Sequence, residues 1–372
     1  MSKVFCKENI NTDRQHVFDL CKALCVVGMI LCHIFYILDM NHSAINTTGW
    51  IYSIGNLFGA QLFMFSMGVG MAYTRHNTHR AYCNRGIILF LMGYLLNFLR
   101  ETLPWLIVGK SPFLSSFEND LFASFLRGDI LQFAGLAFLF VGALKYFKLS
   151  NVKMLLVAIL ITIFGAYCSD KFFVELNFEN YYFFFIGLIV PIKNFIINEY
   201  VSFCFSNWII YPVLGLLFGE VLQYCFNKDK FYGVFLKFGF LILTLAFLTS
   251  KFVLGQDLMS ILLQDETYYQ QPIFILPVYL LILMWGISII YFISKFFVKT
   301  SFWRVVQYLS KELPTLYIVS WVLIGWTGGF LRFYNVNLPC NYKNIFLIFV
   351  IIMVIAEIYV SMKNTFLKKG NL

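Results

Sequence analysis

Ten apolar stretches, spread along the whole chain, constrain this sequence more than any other feature. Their hydropathy and lengths are typical of membrane-spanning helices. With 60% hydrophobic and only 13% charged residues, a soluble domain of 372 residues could not hide them all in one core. We therefore predict an all-α fold, a polytopic helical membrane bundle of about ten transmembrane helices. The predicted spans lie near residues 16–38, 51–74, 86–100, 130–144, 154–168, 207–225, 232–253, 272–294, 313–331 and 344–362.

The distribution of positive charge predicts the orientation of these spans. With the N-terminus inside, nineteen Lys and Arg fall in cytoplasmic segments and only eight in outer segments. Counting the apolar stretch 181–197 as a further span would place the basic C-terminus outside, so we predict that both termini are cytoplasmic. The net charge of +9 then reflects orientation and gives no reason to expect nucleic-acid binding.

We expect one transmembrane domain, residues 1–372, with no soluble domain attached. Residues 1–15 form its cytoplasmic N-terminus, and residues 169–206 an outer segment in which 181–197 is re-entrant or lies on the surface. The stretch 295–312 mixes aromatic and basic residues at helical spacing, which indicates a helix lying on the inner leaflet. Residues 363–372 form a cytoplasmic tail.

The first apolar stretch carries two ionisable residues, Lys22 and His33. Eleven residues are close to three helical turns, so both side chains fall within about 20° of one face, about 16 Å apart along the axis. Ionisable groups at membrane depth tend to face the bundle interior or a water-filled cavity, which makes this face a candidate functional site. Asp19 lies one turn from Lys22 on nearly the same face. The structural alternative is an Asp19–Lys22 ion pair and an interhelical polar contact for His33.

Several motifs occur in an order that resembles a known family. Phe18-Asp19-x-x-Lys22 followed by His33 is similar to the [R/K]-x10-H signature of membrane acyltransferase family 3 and to the first span of the related heparan-α-glucosaminide N-acetyltransferase group. Further similar segments are Phe63-Met-Phe-Ser-Met-Gly-Val-Gly70, Arg85-Gly86, Gly128-Asp-Ile-Leu-Gln-x-x-Gly-Leu136, Tyr211-Pro-Val-Leu-Gly-x-x-x-Gly219 and Leu316-Tyr-Ile-Val-Ser-Trp321. Lys22 replaces the commoner arginine, which keeps the charge but loses the bidentate fork.

The resemblance implies a membrane acyltransferase that takes an acyl group, usually acetyl, from cytoplasmic acyl-CoA. His33 matches the catalytic histidine of the family, and Lys22, with Asp19 beside it, matches the basic partner. Arg85, together with Arg75 and Arg80, matches the basic positions expected to bind the CoA phosphates. Ordinary cytoplasmic charge is an equal explanation for these arginines.

Four residues are candidates for contact with the acceptor. Asp129 and Gln132 stand at the predicted outer mouth of the fourth span, although an acid stabilising a helix N-terminus explains Asp129 equally well. His42 lies on the first outer loop, where a solvated loop histidine is the simpler explanation. Trp321 could stack on a sugar ring, although a place in the interfacial belt or facing lipid explains it more simply. No CxxC pair occurs among the nine cysteines, so we expect no metal site.

The sequence thus predicts an O- or N-acyltransferase of the cytoplasmic membrane that acts on a cell-envelope glycan or lipid-linked saccharide. Acetyl-CoA or another acyl-CoA is the expected donor substrate, and His33 either activates the acceptor as a general base or carries the acyl group briefly. The competing class is a transporter or flippase of an envelope precursor or small metabolite, which would also need intramembrane charges. We find no obvious internal repeat of the kind that many transporters have.

Overall fold

The computed structural model describes residues 4–38, 49, 53, 55, 59–109, 111, 120–169, 171–172, 181–193 and 200–369; for 265–266 and 366–369 it describes the backbone alone. The described residues are mainly helical and contain no extended strand. This confirms the predicted all-α class.

Sixteen α-helices occur in the described residues. They are α1 His16–Leu38, α2 Ala60–Ala72, α3 His79–Asn97, α4 Leu103–Val108, α5 Leu121–Leu126, α6 Ile130–Tyr146, α7 Asn151–Cys168, α8 Phe183–Gly187, α9 Phe205–Trp208, α10 Ile210–Gln223, α11 Lys228–Phe252, α12 Leu258–Leu262, α13 Asp265–Gln270, α14 Leu276–Phe297, α15 Phe302–Phe333 and α16 Tyr342–Lys369. One turn of π-helix, Phe98–Thr102, joins α3 to α4.

Eight helical segments in the described residues are long and apolar enough to cross a membrane. They are His16–Leu38, His79–Val108, Asn151–Cys168, Phe205–Gln223, Lys228–Phe252, Leu276–Phe297, Phe302–Phe333 and Tyr342–Thr365. The shorter apolar helices α2 and α6 coincide with the second and fourth predicted spans. The protein is therefore a multi-pass integral membrane protein.

Several helices are longer than the sequence predicted. The last, α16, continues to Lys369 instead of ending at residue 362, so most of the segment expected as a cytoplasmic tail is part of this helix. Helix α3, the third predicted span, begins at His79 instead of residue 86. Thr78 precedes it, and the Thr78 hydroxyl accepts a hydrogen bond from the Ala81 amide at 3.3 Å. Helix α15, the ninth predicted span, begins at Phe302 and continues through Pro314. Residues 302–312, which we expected in a separate interfacial helix, are therefore part of this span. The described part of the ambiguous stretch, 181–193, contains one five-residue helix, which is too short to span a bilayer.

The chain divides into two compact units, the first made of residues 1–21, 56–93 and 128–300 and the second of residues 22–55, 94–127 and 301–372. In the first unit α2 packs closely against α10. A Cβ atom on Gly68 would lie 1.9 Å from the Pro212 carbonyl oxygen, and one on Gly215 would lie 2.1 Å from that of Phe65. Glycine is needed at both positions because the two backbones almost touch.

In the second unit the long helix α15 packs against the π-helical turn, α4 and α16. Gly325 on α15 faces the turn so closely that a Cβ atom there would lie 2.0 Å from the Arg100 carbonyl oxygen. This contact fixes the position of α15 along its axis relative to residue 100.

Candidate functional site

Helix α1 carries Lys22 and His33 as one uninterrupted helix from His16 to Leu38. Their spacing therefore places them on one face, as the sequence predicts. Both side chains belong to the second unit and are partly exposed, whereas their neighbours Cys25, Val26 and Ile34 are buried.

The imidazole of His33 stacks on the indole of Trp321, a residue of α15 in the same unit. The ring centroids are 3.6 Å apart, and the planes are inclined by 26°. Trp321 is only 7% exposed, so the indole is itself held by surrounding side chains. The structure thus brings together two of the residues predicted for the site, and the stacking limits how the His33 ring can turn.

Trp321 has a second neighbour, the positively charged side chain of Arg100. The guanidinium carbon of Arg100 lies 4.3 Å from the centroid of the Trp321 ring, within the range of a cation–π interaction. Arg100 is fully buried and comes from the π-helical turn Phe98–Thr102. A π-turn widens the helix by one residue and is frequent at functional sites.

Hydrogen bonds and ion pairs hold Arg100 in place. Its Nε lies 3.1 Å from Glu101 Oε1, and its guanidinium also donates to Asn97 Oδ1 at 3.1 Å. The guanidinium of Arg127 lies 3.3 Å from the same Glu101 oxygen. Asn97 also donates to the carbonyl oxygens of Phe125 at 3.0 Å and Arg127 at 2.7 Å. Asn97, Arg100, Glu101 and Arg127 therefore form a buried polar cluster, which we call the Arg100 cluster.

The burial of this cluster was not expected from the sequence. Arg100, Glu101 and Arg127 lie at or after the end of the third predicted span and before the fourth, where charged residues usually mark the exit of the chain from the membrane. Instead they are 0%, 3% and 8% exposed, respectively. Burial is tolerated because each charge has a partner of opposite sign. The available signal in the sequence was the charged pair Arg100-Glu101, which is followed after Thr102 by the apolar residues 103–108.

Asp19 has a structural partner at the start of α1. Its two carboxylate oxygens accept hydrogen bonds from the Arg14 guanidinium, Nε to Oδ2 at 2.7 Å and one terminal nitrogen to Oδ1 at 2.8 Å. The hydrogen bond to Asp19 raises the pKa of Arg14. This bidentate pair joins α1 to the residues before it, and a catalytic contribution from Asp19 stays a prediction.

The three arginines predicted to bind CoA phosphates are exposed members of the first unit. Arg75 lies in the turn after α2, but Arg80 and Arg85 lie on α3 and not in a loop as we expected. Five residues on a helix turn through about 140°, so the two helical arginines project in different directions. Lys145 on α6 lies 5.2 Å from the ring centroid of Tyr82 on α3.

Asp129 and Gln132 form a capping box at the start of α6. Asp129 Oδ1 accepts a hydrogen bond from the Ile130 amide at 2.7 Å, and Gln132 Oε1 accepts one from the Asp129 amide at 3.2 Å. Gln132 is fully buried, and a Cβ on Gly93 would lie 2.6 Å from its side-chain amide carbon. Both residues thus have the helix-terminus role that the sequence left open for Asp129, and their contact with an acceptor stays a prediction. His42 lies outside the described residues.

The geometry around His33 suits proton transfer or nucleophilic attack by an imidazole. An aromatic neighbour restrains the ring, and the partial exposure of His33 leaves an approach for a reacting group. Among the described residues there is no group of three or more His, Cys, Asp or Glu that could hold a metal ion.

Comparison with known proteins supports an acyltransferase family. Residues 14–251 match the family described as heparan-α-glucosaminide N-acetyltransferase, catalytic. A search of curated proteins and a search of solved structures found no match. The matched range covers more than half of the 372 residues and includes His33 and the Arg100 cluster, but it ends before Trp321. The chain therefore belongs to the heparan-α-glucosaminide N-acetyltransferase catalytic family, a family of membrane acetyltransferases.

Proposed function

We propose that this protein transfers an acyl group, acetyl in the first instance, from acyl-CoA to a hydroxyl or amine of a saccharide outside the cytoplasm. His33 is the proposed catalytic residue. The observation that carries the proposal is the His33–Trp321 stack, because it places a restrained, partly exposed imidazole within a chain of an acetyltransferase family.

In the direct route, His33 acts as a general base. The imidazole takes the proton of the acceptor hydroxyl or amine while the acceptor oxygen or nitrogen bonds to the thioester carbonyl carbon. The carbon–sulfur bond then breaks, and the CoA sulfur takes the proton back from the imidazolium. In the two-step route, the unprotonated imidazole nitrogen bonds to the thioester carbonyl carbon, the carbon–sulfur bond breaks, and the CoA sulfur takes the N–H proton of the acylated ring. The acceptor oxygen or nitrogen then bonds to the acyl carbon, the bond between that carbon and the ring breaks, and the ring takes the acceptor proton.

The proposed donor site uses cationic side chains near the predicted cytoplasmic end of the helices. Arg75, Arg80 and Arg85 are exposed and free to meet phosphate oxygens, for which the guanidinium fork is well suited. Lys22, on the His33 face of α1, is proposed as a further basic residue that binds the donor.

The proposed acceptor is a cell-envelope glycan or a lipid-linked saccharide, and the proposed location is the cytoplasmic membrane. An integral membrane protein reaches such an acceptor directly, because lipid-linked saccharides are held at the bilayer surface. Acetyl-CoA or another acyl-CoA is consumed as a substrate, and no metal is proposed.

A ligand assay with purified protein tests this function against transport. Acetyl-CoA should raise the unfolding temperature and be hydrolysed slowly in the absence of an acceptor, because water replaces the missing nucleophile. In cells, saccharides isolated with and without the protein should differ by one ester or amide group. Indifference to every CoA ester, with unchanged saccharides, would contradict the proposal and favour a transporter.

A further inference from the structure

The side chain of Arg100 contacts Trp321, on which the His33 imidazole stacks. The imidazole lies 3.6 Å from the Trp321 ring, and the guanidinium carbon lies 4.3 Å from it, measured to ring centroids. Both contacts lie inside the protein, since Arg100 is fully buried and Trp321 is nearly buried. Any displacement of the indole must therefore be transmitted to the His33 ring.

Arg100 contacts α15 at two points one helical turn apart. Its guanidinium lies over the Trp321 ring. Its carbonyl oxygen would lie only 2.0 Å from a Cβ atom on residue 325. Trp321 and Gly325 are four residues apart and so lie on one face of α15. Residue 100 thus fixes both the height of α15 and the position of the indole.

The guanidinium itself has little freedom to move. It donates to Asn97 and pairs with Glu101, whose carboxylate is shared with Arg127. The Asn97 side chain in turn donates hydrogen bonds to two backbone carbonyl oxygens that precede α6. A hydrogen-bonded, buried cluster of this kind is rigid because no member can leave without exposing a charge to an apolar environment.

We propose that Arg100 is a positioning residue, which acts through Trp321 to hold the His33 imidazole in its reactive orientation. The proposal rests on the catalytic role proposed for His33. It gives Trp321 a part in orienting the base, in place of the acceptor contact that the sequence suggested. A reacting group misplaced by about 1 Å can slow a reaction by about 100-fold, so the effect should appear in kcat.

The test compares four variants of the full-length protein. The rate of acetyl transfer is measured as a function of the acyl-CoA concentration and of the acceptor concentration. Arg100→Met keeps an unbranched side chain but removes the charge, and Trp321→Leu removes the aromatic face. Trp321→Phe retains an aromatic ring under the imidazole. We expect Arg100→Met and Trp321→Leu to lower kcat roughly 10- to 100-fold, with KM for acyl-CoA and acceptor within about 2-fold. Trp321→Phe should recover most of kcat.

The fourth variant, His33→Ala, separates the two proposals. If His33→Ala is as active as the wild type, the proposed function fails. If His33→Ala is inactive while folded Arg100→Met has the wild-type kcat, the positioning proposal alone is overturned. A rise in acceptor KM at unchanged kcat in Trp321→Leu would also overturn it, by returning Trp321 to an acceptor contact.

Folding is measured for each variant by its unfolding temperature in detergent. Should Arg100→Met fail to fold, the two Trp321 variants decide the matter. A loss of kcat in Trp321→Leu with recovery in Trp321→Phe supports the proposal, and equal kcat in both overturns it.

Discussion

Replacing Gly325 by alanine should separate α15 from the π-helical turn. The added Cβ would lie 2.0 Å from the Arg100 carbonyl oxygen and 2.8 Å from its carbon, whereas ordinary contacts begin near 3.4 Å. The two backbones must therefore move apart by about 1.4 Å, because the opposing atoms belong to the main chain and have no rotamer to adopt. Overpacking of this kind costs about 1–3 kcal/mol.

Part of this cost is offset because alanine is favoured over glycine inside a helix by about 0.5–1 kcal/mol. We expect a net loss of about 1–2 kcal/mol, seen as a lower unfolding temperature in detergent. Acetyl transfer should fall as well, since moving α15 carries Trp321 away from Arg100 or from His33.

Gly233→Ala is the matched control, because Gly233 is also an internal helical glycine, but a Cβ there meets nothing within 4 Å. Its unfolding temperature should equal or exceed that of the wild type. If Gly325→Ala were as stable and as active as Gly233→Ala, the tight contact between α15 and residue 100 would be refuted.

Three further changes have defined outcomes. Asp129→Ala should lower stability by about 1 kcal/mol through loss of the helix cap, while Asp129→Asn retains it; equal unfolding temperatures for the two would contradict the cap. Glu101→Gln should cost about 3–5 kcal/mol, because two buried guanidinium groups lose a charged partner, and a wild-type unfolding temperature would count against the buried pairing. Arg85→Ala should raise KM for acetyl-CoA more than KM for CoA analogues without the phosphates, whereas equal effects on both would exclude a phosphate contact.

The helical class and the order of the helices were predictable from the sequence. Apolar stretches of sufficient length must form helices in a bilayer, because their backbone groups have no other hydrogen-bond partners there. The shared face of Lys22 and His33 was predictable for a similar reason, since it follows from spacing within one helix. The capping role of Asp129 was an explicit alternative, because an acid before an apolar stretch is typical of a helix N-terminus.

The Arg100 cluster could not be predicted in this way. Hydropathy treats Arg100 and Glu101 as residues that end a span, whereas their burial depends on pairing with Arg127 from a different segment. The π-turn that carries them has no sequence signature. It joins α3 to α4, so that the helical segment from His79 extends to Val108. Local patterns describe one helix at a time, and this cluster exists only through tertiary contacts.

The His33–Trp321 contact was missed for the same reason. Each residue was singled out on its own, one as a base and the other as a sugar platform, but no periodicity relates residues at opposite ends of a chain. The stack joins α1 to α15, a helix that lies beyond the residues matched to the family.

The most direct test of the account is acetyl transfer by purified protein reconstituted in vesicles, with labelled acetyl-CoA and a saccharide acceptor. His33→Ala should abolish transfer while the protein still inserts into the membrane, and loss of the stack on Trp321 should lower its unfolding temperature only slightly. His16→Ala, which removes an exposed histidine at the start of the same helix, should leave the transfer rate at the wild-type level. Transfer by His33→Ala at the rate of His16→Ala would contradict the account.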